Sequence, residues 1–111
     1  MRKGVRTNSM RNRIYIAGKI SGDPGYLIKF RDAEDRLKKN KRLKATSIVN
    51  PAEVLKGLPK DFEHEEYMTI CRAMLSMCDS IYLLKHWDES PGAVEEYDMA
   101  KAKGMRIIHE S

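Results

Sequence analysis

From Ser90 to Asp98 the chain reads SPGAVEEYD, a Ser-Pro-Gly turn that runs straight into a helix carrying Glu95, Glu96 and Asp98 in its first turns. The unpaired N–H groups at a helix start suit a phosphate or another anion. Carboxylates just inside that helix suit chemistry on something electropositive. The preceding run SIYLLKHWDE predicts a buried strand and then a polar loop bearing Trp87. In a parallel α/β sheet such a junction, at the carboxyl end of a strand, is where ligands bind.

A second junction of the same shape stands near the start of the chain. Ile14-Tyr-Ile-Ala is an apolar run too short for a helix and bounded by glycine, which predicts a buried strand. It gives way to Gly18-Lys19-Ile20-Ser21-Gly22, and Asp23-Pro24-Gly25 extends the break. Strand, Gly-rich turn, helix is the order of a phosphate-binding loop, although the spacing matches neither the dinucleotide fingerprint nor the P-loop.

The elements that must position these two turns can be read from periodicity. Tyr26 to Lys39 is helical, with Phe30, Ala33 and Leu37 on one face and Asn40 as a left-handed C-cap. Ala45 to Val49 is a second strand, stopped by Asn50-Pro51, and at most one turn of helix is expected near Ala52 to Lys56. A second long helix begins at Asp61 or Phe62 and is closed by Asp79. Strands at Ile81 to Leu84 and Met105 to Ile108 flank a third helix from Ala93 to Lys103, ended by Gly104. This β-α-β-α-β-α-β alternation predicts a three-layer α/β sandwich of flavodoxin or Rossmann-like type. Its small parallel sheet has four or five strands in the order 2-1-3-4. That order puts a switch point between the first and third strands, where Gly18–Gly22 and the loop from Lys85 to Gly92 would meet.

Bulk composition narrows the class. At 111 residues the chain predicts one domain over residues 13–111, preceded by a flexible basic tail at residues 1–12. No apolar run is long enough to span a membrane, and no apolar segment follows the basic start as in a secretory signal, so a cytoplasmic protein is expected. The net charge of +5 is concentrated in Arg2, Lys3, Arg6, Arg11 and Arg13, and again between Arg36 and Lys44. The second cluster suits the negative end of a helix dipole, and no aromatics interleave with either, so nucleic acid is not the expected partner. Cys71 and Cys78 are seven residues apart, about 10 Å along a helix, too far for a disulfide; both are expected to be buried free thiols. With three scattered histidines, neither a metal site nor a cofactor is expected.

Five segments carry a family resemblance: Ile14-Tyr-Ile-Ala-Gly-x-Ile-x-Gly, Asn50-Pro-Ala, Glu66-Tyr-Met, Cys78-Asp-x-Ile-Tyr-Leu-Leu, and Trp87-x-x-Ser-x-Gly-Ala-x-x-Glu96. Over residues 13–108 the chain resembles the small DUF4406 proteins, often found in phages and prophages. Through them it is similar to the nucleoside 2-deoxyribosyltransferase and deoxynucleoside-monophosphate N-glycosidase superfamily. The resemblance implies a nucleoside or nucleotide ligand, a homodimer or larger assembly, and cleavage or transfer at an N-glycosidic bond. It assigns the covalent nucleophile to Glu96, a second catalytic residue, the tyrosine of a Tyr-x-x-Gly strand end, to Tyr15, and a 5′-phosphate turn to Lys19, Ile20, Ser21 and Gly22, after Gly18. It adds Ser90 as a further phosphate contact, near the N–H groups at Gly92. Trp87 is read as a rim or subunit-contact residue or as a base-stacking platform.

That chemistry makes C1′ of the sugar positive, so a carboxylate beneath it either stabilises the charge or forms a glycosyl ester. The helix dipole is expected to keep Glu96 ionised. The leaving base needs a proton, and the superfamily supplies it from an aspartate on the second helix. Here that position is Cys71, and Lys85-His86 replaces a common Pro-Gly. His86, Asp88 and Glu89 are the alternative acids. A non-catalytic nucleotide sensor is the expectation if none of them serves.

Overall fold

The computed structural model describes residues 11–111. Strands β1 (Arg13–Ala17), β2 (Ser47–Val49), β3 (Ser80–Leu83) and β4 (Arg106–His109) form one four-stranded sheet in the order β2-β1-β3-β4. All three pairings are parallel, with Tyr15 opposite both Val49 and Ile81. Helix α1 (Tyr26–Lys39) joins β1 to β2, while α2 (Pro51–Leu55) and α3 (His64–Ser76) join β2 to β3. Helix α4 (Pro91–Ala102) joins β3 to β4. The α/β class, the parallel sheet and the 2-1-3-4 order agree with the sequence reading.

Side-chain alternation along β1 divides the core into two layers. Ile14 and Ile16 pack with Phe30, Ala33 and Leu37 of α1 and with Tyr82. Tyr15 and Ala17 face the opposite way, onto Cys71 and Leu75 of α3, Ala100 of α4 and Ile81. Because α3 and α4 share that second face, any polar group they bury must find its partner on Tyr15's side of the sheet.

Several boundaries differ from the expectation for local reasons. Asn50-Pro51, expected only to stop a strand, starts α2: Asn50 Oδ1 accepts from Glu53 N at 3.2 Å and Pro51 occupies the first turn. Helix α3 begins at His64 rather than Asp61 or Phe62, because Glu63 and Glu66 form a reciprocal capping box. Asn40 is extended, at φ −85°, rather than left-handed. Asp79 lies beyond the C-cap of α3; its carboxylate accepts from Arg13 N at 2.8 Å and pairs with Arg11. Arg11 and Asn12, assigned from sequence to the tail, are thus tied to the domain, Asn12 through Thr46 and Leu43. Arg2, Lys3 and Arg6 lie outside the described residues. Among the described residues no helix is long and apolar enough to cross a membrane.

Candidate active site

β1 and β3 end beside each other, and the turns that follow them open a cavity of about 390 Å³ under α2, α3 and the start of α4. Its floor is an acid–phenol pair. Tyr15 is fully buried in the middle of β1, and its hydroxyl donates to Glu96 Oε2 at 2.6 Å. Among the described residues Glu96 is the one buried carboxylate, 6% exposed, on the face of α4 that also buries Ala93 and Ala100. The Cys71 thiol, from α3, is set against the same carboxyl.

Desolvation dominates the electrostatics of this floor. Burial lifts the Glu96 pKa to about 7, against the opposing donation from Tyr15 and Cys71. The expectation that the helix dipole would hold this carboxylate ionised is therefore corrected: removal from water outweighs the dipole. Tyr15 is pushed well above its ordinary value by burial and then by the Glu96 charge, so it remains a proton-bearing donor. Burial likewise raises Cys71 to about 11, which keeps it a neutral thiol. Both cysteines are free and buried.

The turn after β1 is divided between two sides of the molecule. Gly18, Ile20 and Ser21 line the Glu96 cavity. Lys19 and Gly22 instead line a separate groove with His86 and Glu89, where Lys19 Nζ pairs with Glu89 at 3.4 Å. Gly18 is required by close packing, since a Cβ there would lie 2.7 Å from Leu84 Cδ1 and 3.0 Å from its Cβ.

The loop after β3 turns sharply at His86, which has φ 65°, and then forms a single 3-10 turn over Trp87–Glu89. Ser90 caps α4, accepting from Ala93 N at 3.2 Å, and its hydroxyl retains a proton to donate. Ser90 and Gly92 line the Glu96 cavity. Trp87 does not: its ring stacks at 4.8 Å on Tyr97 and approaches His109. The alternative acids named from sequence stand apart as well, for His86 and Glu89 face each other at 3.3 Å in the second groove.

Sequence reasoning missed the residues that close the cavity from the other side. Lys56 and Lys60 follow α2, His64 opens α3, and Tyr67 and Met68 lie one turn further on. The signal was present as helical spacing, since His64, Met68 and Cys71 fall at i, i+4 and i+7 on one face. Glu95, next to the buried Glu96, is outside the cavity and pairs with Arg72, which also binds Glu65. Among the described residues no cluster of three or more His, Cys, Asp or Glu side chains is placed to hold a metal.

Fold and site together define a doubly wound α/β protein with a ligand-sized cavity at its switch point and a buried acid–phenol pair at the cavity floor. The chain belongs to the DUF4406 family, a domain of unknown function, whose model matches residues 12–109. No curated protein and no solved structure matches it.

Proposed function

We propose that the protein acts on N-glycosidic bonds of nucleosides or deoxynucleotides, as a hydrolase or a deoxyribosyltransferase, with Glu96 attacking C1′. The observation that carries this reading is the Tyr15–Glu96 pair at the cavity floor. Tyr15 engages Oε2 and fixes the carboxyl at the cavity. A carboxylate stripped of water gains most from a developing positive charge, so an oxocarbenium-like C1′ favours the ionised form of Glu96. The resemblance of the Ser90-x-Gly92-x-x-x-Glu96 segment to the glycosidase motif supports the same assignment. Gly18, Ile20, Ser21, Ser90 and Gly92 are the groups placed to hold the rest of the substrate.

Incubation with nucleosides and deoxynucleoside monophosphates should release free base, or exchange it when a second base is added. Release by the wild type no greater than by Glu96→Ala excludes the proposal. One observation favours a second reading, a nucleotide-binding sensor without turnover. Burial pushes the Cys71 thiol to about 11, and by the resemblance this residue falls at the position of the glycosidases' carboxyl proton donor. That reading requires thermal stabilisation by a nucleotide with no base released.

A further inference from the structure

The amino ends of the four parallel strands lie at the opposite end of the sheet from the Glu96 cavity, and the fold gathers there cations that the sequence scatters. Backbone hydrogen bonds tie that end together. Thr46 N donates to Asn12 O at 2.8 Å, Asp79 N to Arg13 O at 2.8 Å, and Arg106 N to Asp79 O at 3.2 Å. The end of α1 with the turn after it, the start of β1, the link from α3 to β3 and the turn after α4 thus stand side by side. The first of these supplies Lys39, Lys41, Arg42 and Lys44, the last supplies Lys103 and Arg106, and all six are exposed. Arg11 and Arg13 stand between them. Among the described residues of these segments Asp79 is the one carboxylate, and it is already engaged by the Arg11 guanidinium and by Arg13 N.

Local effects answer only a small part of this charge. The carbonyl ends of α1, α3 and α4 all point here, each equivalent to about half a negative charge, so together they offset fewer than two of the cations. Among the described residues none of the six exposed cations has a carboxylate within ion-pair distance. Lys29, Arg36, Lys56 and Arg72, elsewhere on the surface, are all paired. Like charges held this close repel one another, and a polyanion laid across them relieves that repulsion. Arg42 and Arg106 carry the planar fork that matches phosphate oxygens. No Phe, Tyr or Trp occurs in these segments, so the surface lacks the stacking platforms that hold single-stranded bases. A duplex hides its bases and presents regularly spaced phosphates, which such a surface can hold in any register.

We propose that the amino end of the sheet is a docking surface for double-stranded nucleic acid, held through its phosphate backbone without reading of the bases. The turn after α1 and the turn after α4 grip the same duplex, although more than fifty residues of chain separate them. Duplex DNA and duplex RNA share this chemistry, and the binding measurement separates them. The surface is independent of the Glu96 cavity, so its test stands whether or not the cavity cleaves N-glycosidic bonds.

The test is fluorescence anisotropy of the full chain with short labelled duplexes of DNA and of RNA. Contact with about four phosphates predicts that affinity falls about 10²-fold between about 50 and about 200 mM salt. Lys41→Glu/Arg42→Glu and Lys103→Glu/Arg106→Glu should each weaken binding by about tenfold or more and flatten the salt dependence. Arg31→Glu/Lys85→Glu makes the same change in net charge on exposed residues away from this end and should weaken binding by less than about 3-fold, because screening confines the effect of a distant charge. Where a Glu pair lowers the melting temperature, the corresponding Gln pair replaces it. Binding of both duplexes, or of one alone, with this pattern supports the inference and names the polymer. Absence of binding to either at about 50 mM salt overturns it. Equal weakening by the Arg31 and Lys85 pair overturns it too, since net charge alone would produce that result. Loss with the first pair and not with the second removes the shared surface. Polyglutamate or anionic lipid vesicles bound as tightly as the duplexes assign the surface to another partner and overturn the inference.

Discussion

The Tyr15 hydroxyl meets Glu96 Oε2 at 2.6 Å although the two residues are separated by most of the chain, one in the middle of β1 and the other two turns into α4. Each controls the other's proton. The phenol donates to the carboxyl and holds its pKa down, while the carboxylate charge adds to burial in holding the phenol protonated.

Tyr15→Phe keeps the buried ring and removes the donor. The Glu96 pKa should then rise further above about 7, since the Tyr15 bond is the largest influence opposing desolvation. A buried carboxylate left without that donor should cost about 1–3 kcal/mol of stability at alkaline pH and less where the acid is protonated. Carbon-13 titration of the glutamate carboxyls in both proteins measures the shift. An unchanged Glu96 midpoint contradicts the pairing.

Glu96 also sets a pH dependence of stability. Its pKa is raised from 4.5 unfolded to about 7 folded, so between those values the folded chain keeps a proton that the unfolded chain has lost. The associated stability is complete below the lower value and is lost as pH rises through the upper one, roughly 3 kcal/mol in all. Glu96→Gln cannot ionise and should lack this loss. Urea denaturation of both proteins at about pH 4 and about pH 9 checks it, the wild type alone showing this loss at the higher pH. Under the proposed function, base release should rise with pH through about 7, as the nucleophile ionises.

Cys71→Asp places a second carboxyl against Glu96. Two like charges cannot both ionise freely there, so the pair should titrate in two steps, one above the present value of about 7. Burial of the added group should lower stability by about 1–3 kcal/mol. Under the proposed function, the new carboxyl beside Glu96 is placed to protonate the leaving base and should speed base release by about tenfold or more. Kinetics on a deoxynucleoside monophosphate and a thermal melt measure the two effects.

Two glycines beside the cavity should respond differently to alanine. At Gly18 the new methyl would collide with both Cδ1 and Cβ of the buried Leu84, and a cost of about 1–3 kcal/mol is expected. At Gly92 the nearest atom is Met68 Sδ, 3.1 Å from the built position, on a flexible thioether. Gly92→Ala also gains helix propensity, so its melting temperature should stay close to that of the wild type. Paired melts decide the ranking.

Much of the fold was legible because its signals are local. Short apolar runs marked β1, ended by Gly18, and β3, the i, i+3, i+7 spacing marked α1, and the regular alternation implied a parallel sheet. Helix starts were less legible where two signals overlapped: Asn50-Pro51 both ends a strand and caps a helix, and Glu63–Glu66 moved the start of α3 past the two expected positions, Asp61 and Phe62. The second strand proved shorter than expected, Ser47–Val49, with Lys44 in a left-handed turn before it.

The amino-acid sequence by itself determined the order of elements, the parallel 2-1-3-4 sheet and the presence of Glu96 at the opening of the last helix. It did so because periodicity, capping and turn chemistry are properties of neighbouring residues. Only the tertiary structure decided that Glu96 is dry and bonded to Tyr15, that Lys19 turns away from the cavity while Ser21 turns towards it, and that His64 faces the same space. Burial and cross-chain distance depend on residues far apart in the chain. For Glu96 they reverse the local preference, since loss of water outweighs the helix dipole that acts on its charge.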